Sequence, residues 1–196
     1  ADDCRLDLPK TPRLRDTEDN NHLLDTLPDF DRRLCQVGAV LISYRARYVQ
    51  ALAVHAQRAH WECSGEREEL ALSYQTVKTV EDPWGPTADI AAALAEHQAQ
   101  HHQAELASRL CLSGPHKDDI AVTVNGLEAR HFCSQGLVRT AALSLKLADR
   151  EIHKTAIGEY PVMLLDDVLS ELDPLRQEYL LNRIAGGQVY ITCSQI

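Results

Sequence analysis

No GxxxxGK[ST] string occurs anywhere in the 196 residues, so the loop and lysine that cradle phosphates in many nucleotide hydrolases are missing. No apolar run approaches the roughly 18 residues of a membrane span, and no membrane is expected as a partner. No charged-then-apolar stretch opens the chain, so no secretory leader is expected. The six cysteines, Cys4, Cys35, Cys63, Cys111, Cys133 and Cys193, contain no CxxC pair. That pattern predicts reduced thiols in a cytoplasmic protein rather than a disulfide frame or a zinc site. The formal charge of −9 argues against a broad nucleic-acid-binding face, though not against a local basic patch. What remains is an ordinary soluble composition, 44% hydrophobic and 25% charged, with length for one or two domains.

Residues 1–28 are polar, hold three prolines and the run "DTEDNN", and read as a flexible lead-in. From Phe30 the texture changes. Leu34, Val37, Leu41, Tyr44, Tyr48, Leu52 and His55 fall three or four apart, which predicts one stripe of a long amphipathic helix over about 29–62. Arg32, Arg33, Arg45, Arg47 and Arg58 lie mostly off that stripe. They read as a solvated face, with DNA phosphates as the alternative contact. Residues 69–77 alternate as a strand, Pro83, Gly85 and Pro86 mark a loop, and 87–110 return to helix. His97 and His101 stand one turn apart in that helix. Without a third ligand they read as surface histidines rather than a metal pair.

The second half is more regular. Asn125-Gly126 predicts a tight hairpin turn within 120–132. A helix follows over about 137–154, then a strand at 161–165. Asp173-Pro174 reads as the N-cap and first residue of another helix, Gly186-Gly187 as its stop, and 188–194 as a final strand. Helices alternating with strands imply an α/β fold with a parallel sheet, and functional groups at the carboxyl ends of its strands.

Asp166 and Asp167 sit at such an end, directly after "PVMLL". Adjacent carboxylates repel, and partial desolvation makes the repulsion worse. A divalent cation bridging phosphate oxygens is one neutralising partner; a plain turn or cap is the other reading. Ser134, Gln135 and Gly136 precede a helix, where free N–H groups and the helix dipole suit an anion. Ser134 also suits a simple N-cap. "SELD", 170–173, follows the twin aspartates.

Taken together, "SGPHKDD" (113–119), "SQGLVRTAALSLKLA" (134–148), "GEYPVMLLDDVLSELD" (158–173) and "YITCS" (190–194) resemble the RecF family of bacterial recombinational repair. "LPDFDRRLCQVGAVLISYRARYVQAL" (27–52) and "SGEREELALSY" (64–74) are similar to that family's arm. The resemblance runs over about 27–196. It implies a helical arm or lid subdomain at 29–112 with a short strand, and at 113–196 the carboxyl-terminal lobe of an ABC-type ATPase head. By the same resemblance Asp166 looks like the Mg²⁺ aspartate, and Asp167 stands at the catalytic-carboxylate position. Ser134, Gln135 and Gly136 look like the signature motif that contacts the nucleotide of the other subunit. Ser170 to Asp173 looks like the D-loop, and Thr192 sits near the switch position. His116 to Asp119 are a family landmark with no role attached.

The family implies ATP and Mg²⁺ as cofactors and a homodimer closed on ATP. It implies binding to DNA at gaps and single-strand/double-strand junctions, with RecO and RecR as partners in RecA loading. RecF proteins carry the phosphate loop in an amino-terminal lobe that has no counterpart here, so the chain alone is expected to be inactive toward ATP. The competing reading is a non-enzymatic interaction or structural module, a half-head with its arm. Leu137 replaces the glutamine usual after SQG, and Cys133 a common glycine. The first change removes a polar group beside the anion site.

Overall fold

The structure is a computed structural model that describes residues 21–193. Most of the expected lead-in, Cys4 and the last three residues lie outside the described residues.

One helix organises the rest. Helix α1, Asn21–Cys63, is followed by β1 (Leu70–Gln75), α2 (Thr87–Ser108) and a 3₁₀ turn at Pro115–Lys117. Then come β2 (Asp119–Val124), β3 (Leu127–Glu128), the short α3 (Ala129–Phe132) and α4 (Gln135–Ile157). The last described elements are β4 (Met163–Asp166), a second 3₁₀ turn at Leu169–Glu171, α5 (Pro174–Arg183) and β5 (Val189–Thr192).

Helix α1 departs from the sequence expectation twice. It begins at Asn21 and carries Pro28 inside it, upstream of the first apolar repeat. Its buried face is also a different one. Cys35, Ala39, Ile42, Ala46, Val49, Leu52, Ala56, Ala59 and Cys63 are buried, whereas Val37, Leu41, Tyr44 and Tyr48 are exposed. Alongside Ile42, Val49 and Leu52 the buried stripe carries Ala39, Ala46, Ala56 and Ala59, small residues that let neighbours approach the helix backbone. Gly38 shows how close: a Cβ there would lie 3.0 Å from the Pro115 ring and 3.3 Å from Leu94.

Three apolar clusters sit along this face. Cys35, Ala39 and Ile42 pack with Val77, Val80, Ile90 and Leu94 on the α2 side. Leu52 and Ala56 pack with Leu70, Val124, Ala141 and Ala148. Ala59 closes a third cluster with Leu143, Leu147, Met163, Leu165 and Leu180. Helix α4 takes part in two of the three, so both its sides are lined with buried residues.

The described residues form two sheets. Strands β1, β2 and β3 form an antiparallel one in which Leu70 faces Val124 and Gln75 faces Asp119. The expected hairpin turn is present, with Asn125 and Gly126 both at positive φ (51° and 77°). The longer partner of β2, however, is β1, so the strand read within the arm pairs with one read within the lobe. Strands β4 and β5 are parallel, joined by α5, with Asp166 beside Thr192. The α/β architecture is as the sequence implied.

The landmark at 116–119 acquires a structural role. Asp118, its side chain 3% exposed, accepts hydrogen bonds from Arg45 (3.1 Å) and Tyr74. Arg45 also donates to the Pro115 carbonyl. The motif thus pins α1 to the antiparallel sheet. Two other arginines of α1 are engaged locally, Arg32 with Asp29 and Arg58 with Glu62.

Gly38→Leu should cost about 1–3 kcal/mol by overpacking against Pro115 and Leu94. A urea midpoint equal to that of the parent chain would refute the close approach.

Candidate functional site

Asp166 ends β4 because the parallel pairing with β5 ends there. Past it, Asp167 turns the backbone into the left-handed region, φ 50°, a conformation that aspartate tolerates better than most residues. Thr192 of the neighbouring strand locks this bend. Its hydroxyl donates to Asp166 Oδ1 and accepts from the Asp167 N–H at 3.0 Å, and the Asp167 N–H also lies 3.2 Å from the Thr192 carbonyl. The sequence-predicted trio Asp166, Asp167 and Thr192 is therefore one cluster, with both aspartates exposed.

The segment after it is held at every step. Ser170 Oγ donates to the Asp167 carbonyl at 2.8 Å. Gln177 Nε2 donates to the Leu169 and Leu172 carbonyls at 2.7 and 3.0 Å. Asp173 caps α5, accepting from the Arg176 N–H at 3.1 Å. Its second oxygen accepts from Arg176 Nη1 at 2.6 Å. The Arg176 backbone N–H, with help from its guanidinium, holds the Asp173 carboxyl below the usual carboxylate range.

Ser134 is the N-cap of α4; its Oγ accepts from the Leu137 N–H at 3.4 Å. Ser134, Gln135 and Gly136 are all exposed. A Cβ added at Gly136 would meet nothing within 4 Å. Arg139, one turn on, pairs with Glu171 at 2.9 Å and ties this helix start to the turn after the twin aspartates.

His97 and His101 are not drawn toward it. Their rings stack with centroids 4.0 Å apart, and His97 Nδ1 lies 2.8 Å from Ser113 Oγ. Among the described residues no group of three or more His, Cys, Asp or Glu is placed to hold a metal ion. Asp166, Asp167 and Thr192 are hard oxygen donors, the chemistry Mg²⁺ prefers, but as two carboxylates and a hydroxyl they leave half of an octahedral shell to phosphate oxygens and water.

Sequence reasoning missed three residues behind the site. Arg176 Nη2 bridges both Glu68 oxygens at 2.8 and 3.0 Å. Glu68 Oε2 also stands 3.3 Å from Nε2 of His60, which is fully buried, and His60 Nδ1 lies 3.1 Å from Ser144 Oγ on α4. Burial lowers the His60 pKa below its usual value; the Glu68 carboxylate opposes that shift. Only their neighbour Asp173 was read in the sequence, as the N-cap of α5.

No family model matches the chain. It is 40% identical over 168 residues to the DNA replication and repair protein RecF of Symbiobacterium thermophilum, covering 85% of this chain and 45% of that protein. It is 40% identical over 175 residues to the RecF of Bacillus subtilis, covering 89% and 46%. The fold is similar to a solved structure described as the recombination mediator protein RecF-ATPrS in the RecFOR pathway, with TM-score 0.76, 34% identity and 87% of this chain covered against 46% of that one. The chain is of the RecF family. It corresponds to the carboxyl-terminal part, and it spans about half the length of the curated relatives it matches. A RecF-ATP structure aligns nearly as well, with TM-score 0.75 and 34% identity. No helix among the described residues is long and apolar enough to cross a membrane.

Two outcomes follow for the residues behind the site. Asp173→Ala removes the α5 cap and should cost about 1 kcal/mol, read as a lower urea midpoint at unchanged slope. His60 makes stability depend on pH. The unfolded ring takes up a proton near its ordinary 6.5, whereas the buried ring resists. The unfolded state then binds more protons, so stability falls as pH drops below that value. Urea unfolding at pH 7.5 and 5.5 should show the fall, and His60→Gln should flatten it; parallel slopes in the two proteins would refute it.

Proposed function

We propose that this chain forms part of a RecF-type DNA-repair ATPase and supplies the Mg²⁺ aspartate, the catalytic carboxylate and the trans-acting signature of its head. The observation that carries the reading is the cluster of Asp166, Asp167 and Thr192 at the carboxyl end of a parallel strand pair, tied by Arg139–Glu171 to the start of α4. In this reading Asp166 would hold Mg²⁺, which when bound offsets the charge of a nucleotide's phosphates. Asp167 orients the attacking water and takes up its proton. Ser134, Gln135 and Gly136 present free N–H groups, a hydroxyl and an unobstructed glycine surface to the γ-phosphate of ATP held by a second subunit. Ser170 to Asp173 cross the interface of that homodimer.

A second feature supports a complementary lobe. Parallel sheets are normally covered on both faces. Here Met163 and Leu165 face the core, while Val162, Leu164 and Tyr190 are exposed. That bare side continues into a groove lined by Arg139, Lys146, Pro161, Leu164 and Val168. A lobe bearing the phosphate loop fits this surface as its cover. The assembled head would bind DNA at gaps and strand junctions in an ATP-dependent way, with RecO and RecR as partners in loading RecA. Residues 29–112 serve in this reading as the arm.

Most nucleotide affinity comes from the phosphate loop acting with Mg²⁺, so the chain alone should show no ATP turnover. Mixed with a separately produced phosphate-loop lobe, it should gain turnover and ATP-dependent binding to gapped duplex DNA. Asp166→Ala should abolish turnover, and Asp167→Asn should lower it about 10²-fold or more. Turnover by the chain alone that vanishes in Asp166→Ala would overturn the division of labour. Stable association with the lobe but no turnover would favour a structural module.

A further inference from the structure

The polar network behind the D-loop turn reaches the exit of α1 through Glu68. Ser64 closes that exit: its Oγ accepts from the Arg67 and Glu68 N–H groups at 3.3 and 3.1 Å. Gly65 and Glu66 both take positive φ. Just beyond, the Glu69 N–H donates to Asn125 Oδ1 and its carbonyl accepts from the Asn125 N–H, each at 2.8 Å. The backbone of Glu68 is therefore clamped between the end of α1 and the β2–β3 turn. Its side chain, 18% exposed, is delivered to Arg176, 20% exposed, and held there by two bonds.

Arg176 has a second carboxylate, that of Asp173. Its guanidinium is thus a bridge with one end on the α1 exit and the other on the last residue of the D-loop turn. Packing reinforces the geometry: a Cβ on Gly65 would lie 3.2 Å from Leu175 Cδ2 in the first turn of α5. On its other side Glu68 faces His60, whose far nitrogen meets Ser144 of the signature helix.

We propose that Glu68 is a positioning residue, which through Arg176 sets the conformation of the Asp173 end of the D-loop turn and so links the attitude of the long α1 helix to the groups facing the second subunit. The proposal rests on the reading of Ser170 to Asp173 as a trans-interface turn for its functional meaning, but not for its geometry. A displacement of α1 carries the clamped Glu68 with it, and Arg176 must then follow Glu68 or keep Asp173. A paired guanidinium bridging two carboxylates is directional and charge-assisted, which a merely apolar contact would not be. Tyr179, which donates to Glu62 at 3.1 Å, is a second polar contact between α5 and α1 that does not touch Asp173. It serves as the control.

The test is amide hydrogen exchange on the 196-residue chain and on three variants, Glu68→Gln, Arg176→Lys and Tyr179→Phe. Loss of one charge-assisted bond should speed exchange at residues 173–177 about tenfold in the first two, with β1 and β2 unchanged. Tyr179→Phe should leave 173–177 at the parent rate. Unchanged exchange there in Glu68→Gln and Arg176→Lys would overturn the proposal. So would an equal effect of Tyr179→Phe, or a rise spread evenly over the chain. In the assembly with the phosphate-loop lobe, Glu68→Gln should lower kcat about tenfold, in line with the loss of that bond, and leave KM within about twofold; a change in KM alone would count against it. A parent assembly without turnover would sink the ATPase reading by itself, while the exchange result would still decide the role of Glu68.

Discussion

Everything in this chain leans on the close approach permitted by the small-residue face of α1. Gly38, Ala39, Ser43, Ala46, Ala56 and Ala59 leave no bulk between the helix and its neighbours. Three separate apolar clusters can then share one helix. Dispersion falls away steeply with separation, so a wider spacing would weaken all three together. The polar ties follow from the same proximity: Arg45 reaches Asp118 on one side, and the α1 exit reaches α5 on the other.

That proximity also explains what the sequence did and did not disclose. The order of elements from β2 onward was legible because its punctuation is local chemistry. Asn125-Gly126 makes its turn, Ser134 and Asp173 cap their helices, and apolar residues run up to Asp166. Of the inward face of α1 only Leu52 was legible, because periodicity weighs large apolar side chains and most of the residues buried here are small. Val37, Leu41, Tyr44 and Tyr48 keep the right spacing yet point outward. The helical stretch before Phe30 was missed for a related reason: Asp25, Pro28 and Asp29 offer no buried stripe to detect.

The candidate site divides along the same line. Asp166 and Asp167 were legible from the strand they end and Thr192 only through the family resemblance; the parallel register is what brings the three together. The support behind them was invisible. Glu68 lies 108 residues from Arg176, within a stretch that was read only as part of the family's arm. Nothing in a one-dimensional pattern tells which of its acidic residues will meet a guanidinium from the far end of the chain. His60 was hidden in the same way, as one polar residue on a helix with several histidines nearby.

Gly136 carries a last implication. The space around it is open in this chain, and as the second residue of α4 it gains nothing in helix propensity from being glycine rather than alanine. Swapping in a methyl there would therefore be harmless, even beneficial, to the piece studied by itself. Any constraint that keeps the position bare must be imposed from outside, by whatever comes to rest on that surface, so tolerance measured in isolation and tolerance measured in the working assembly would part company at this residue.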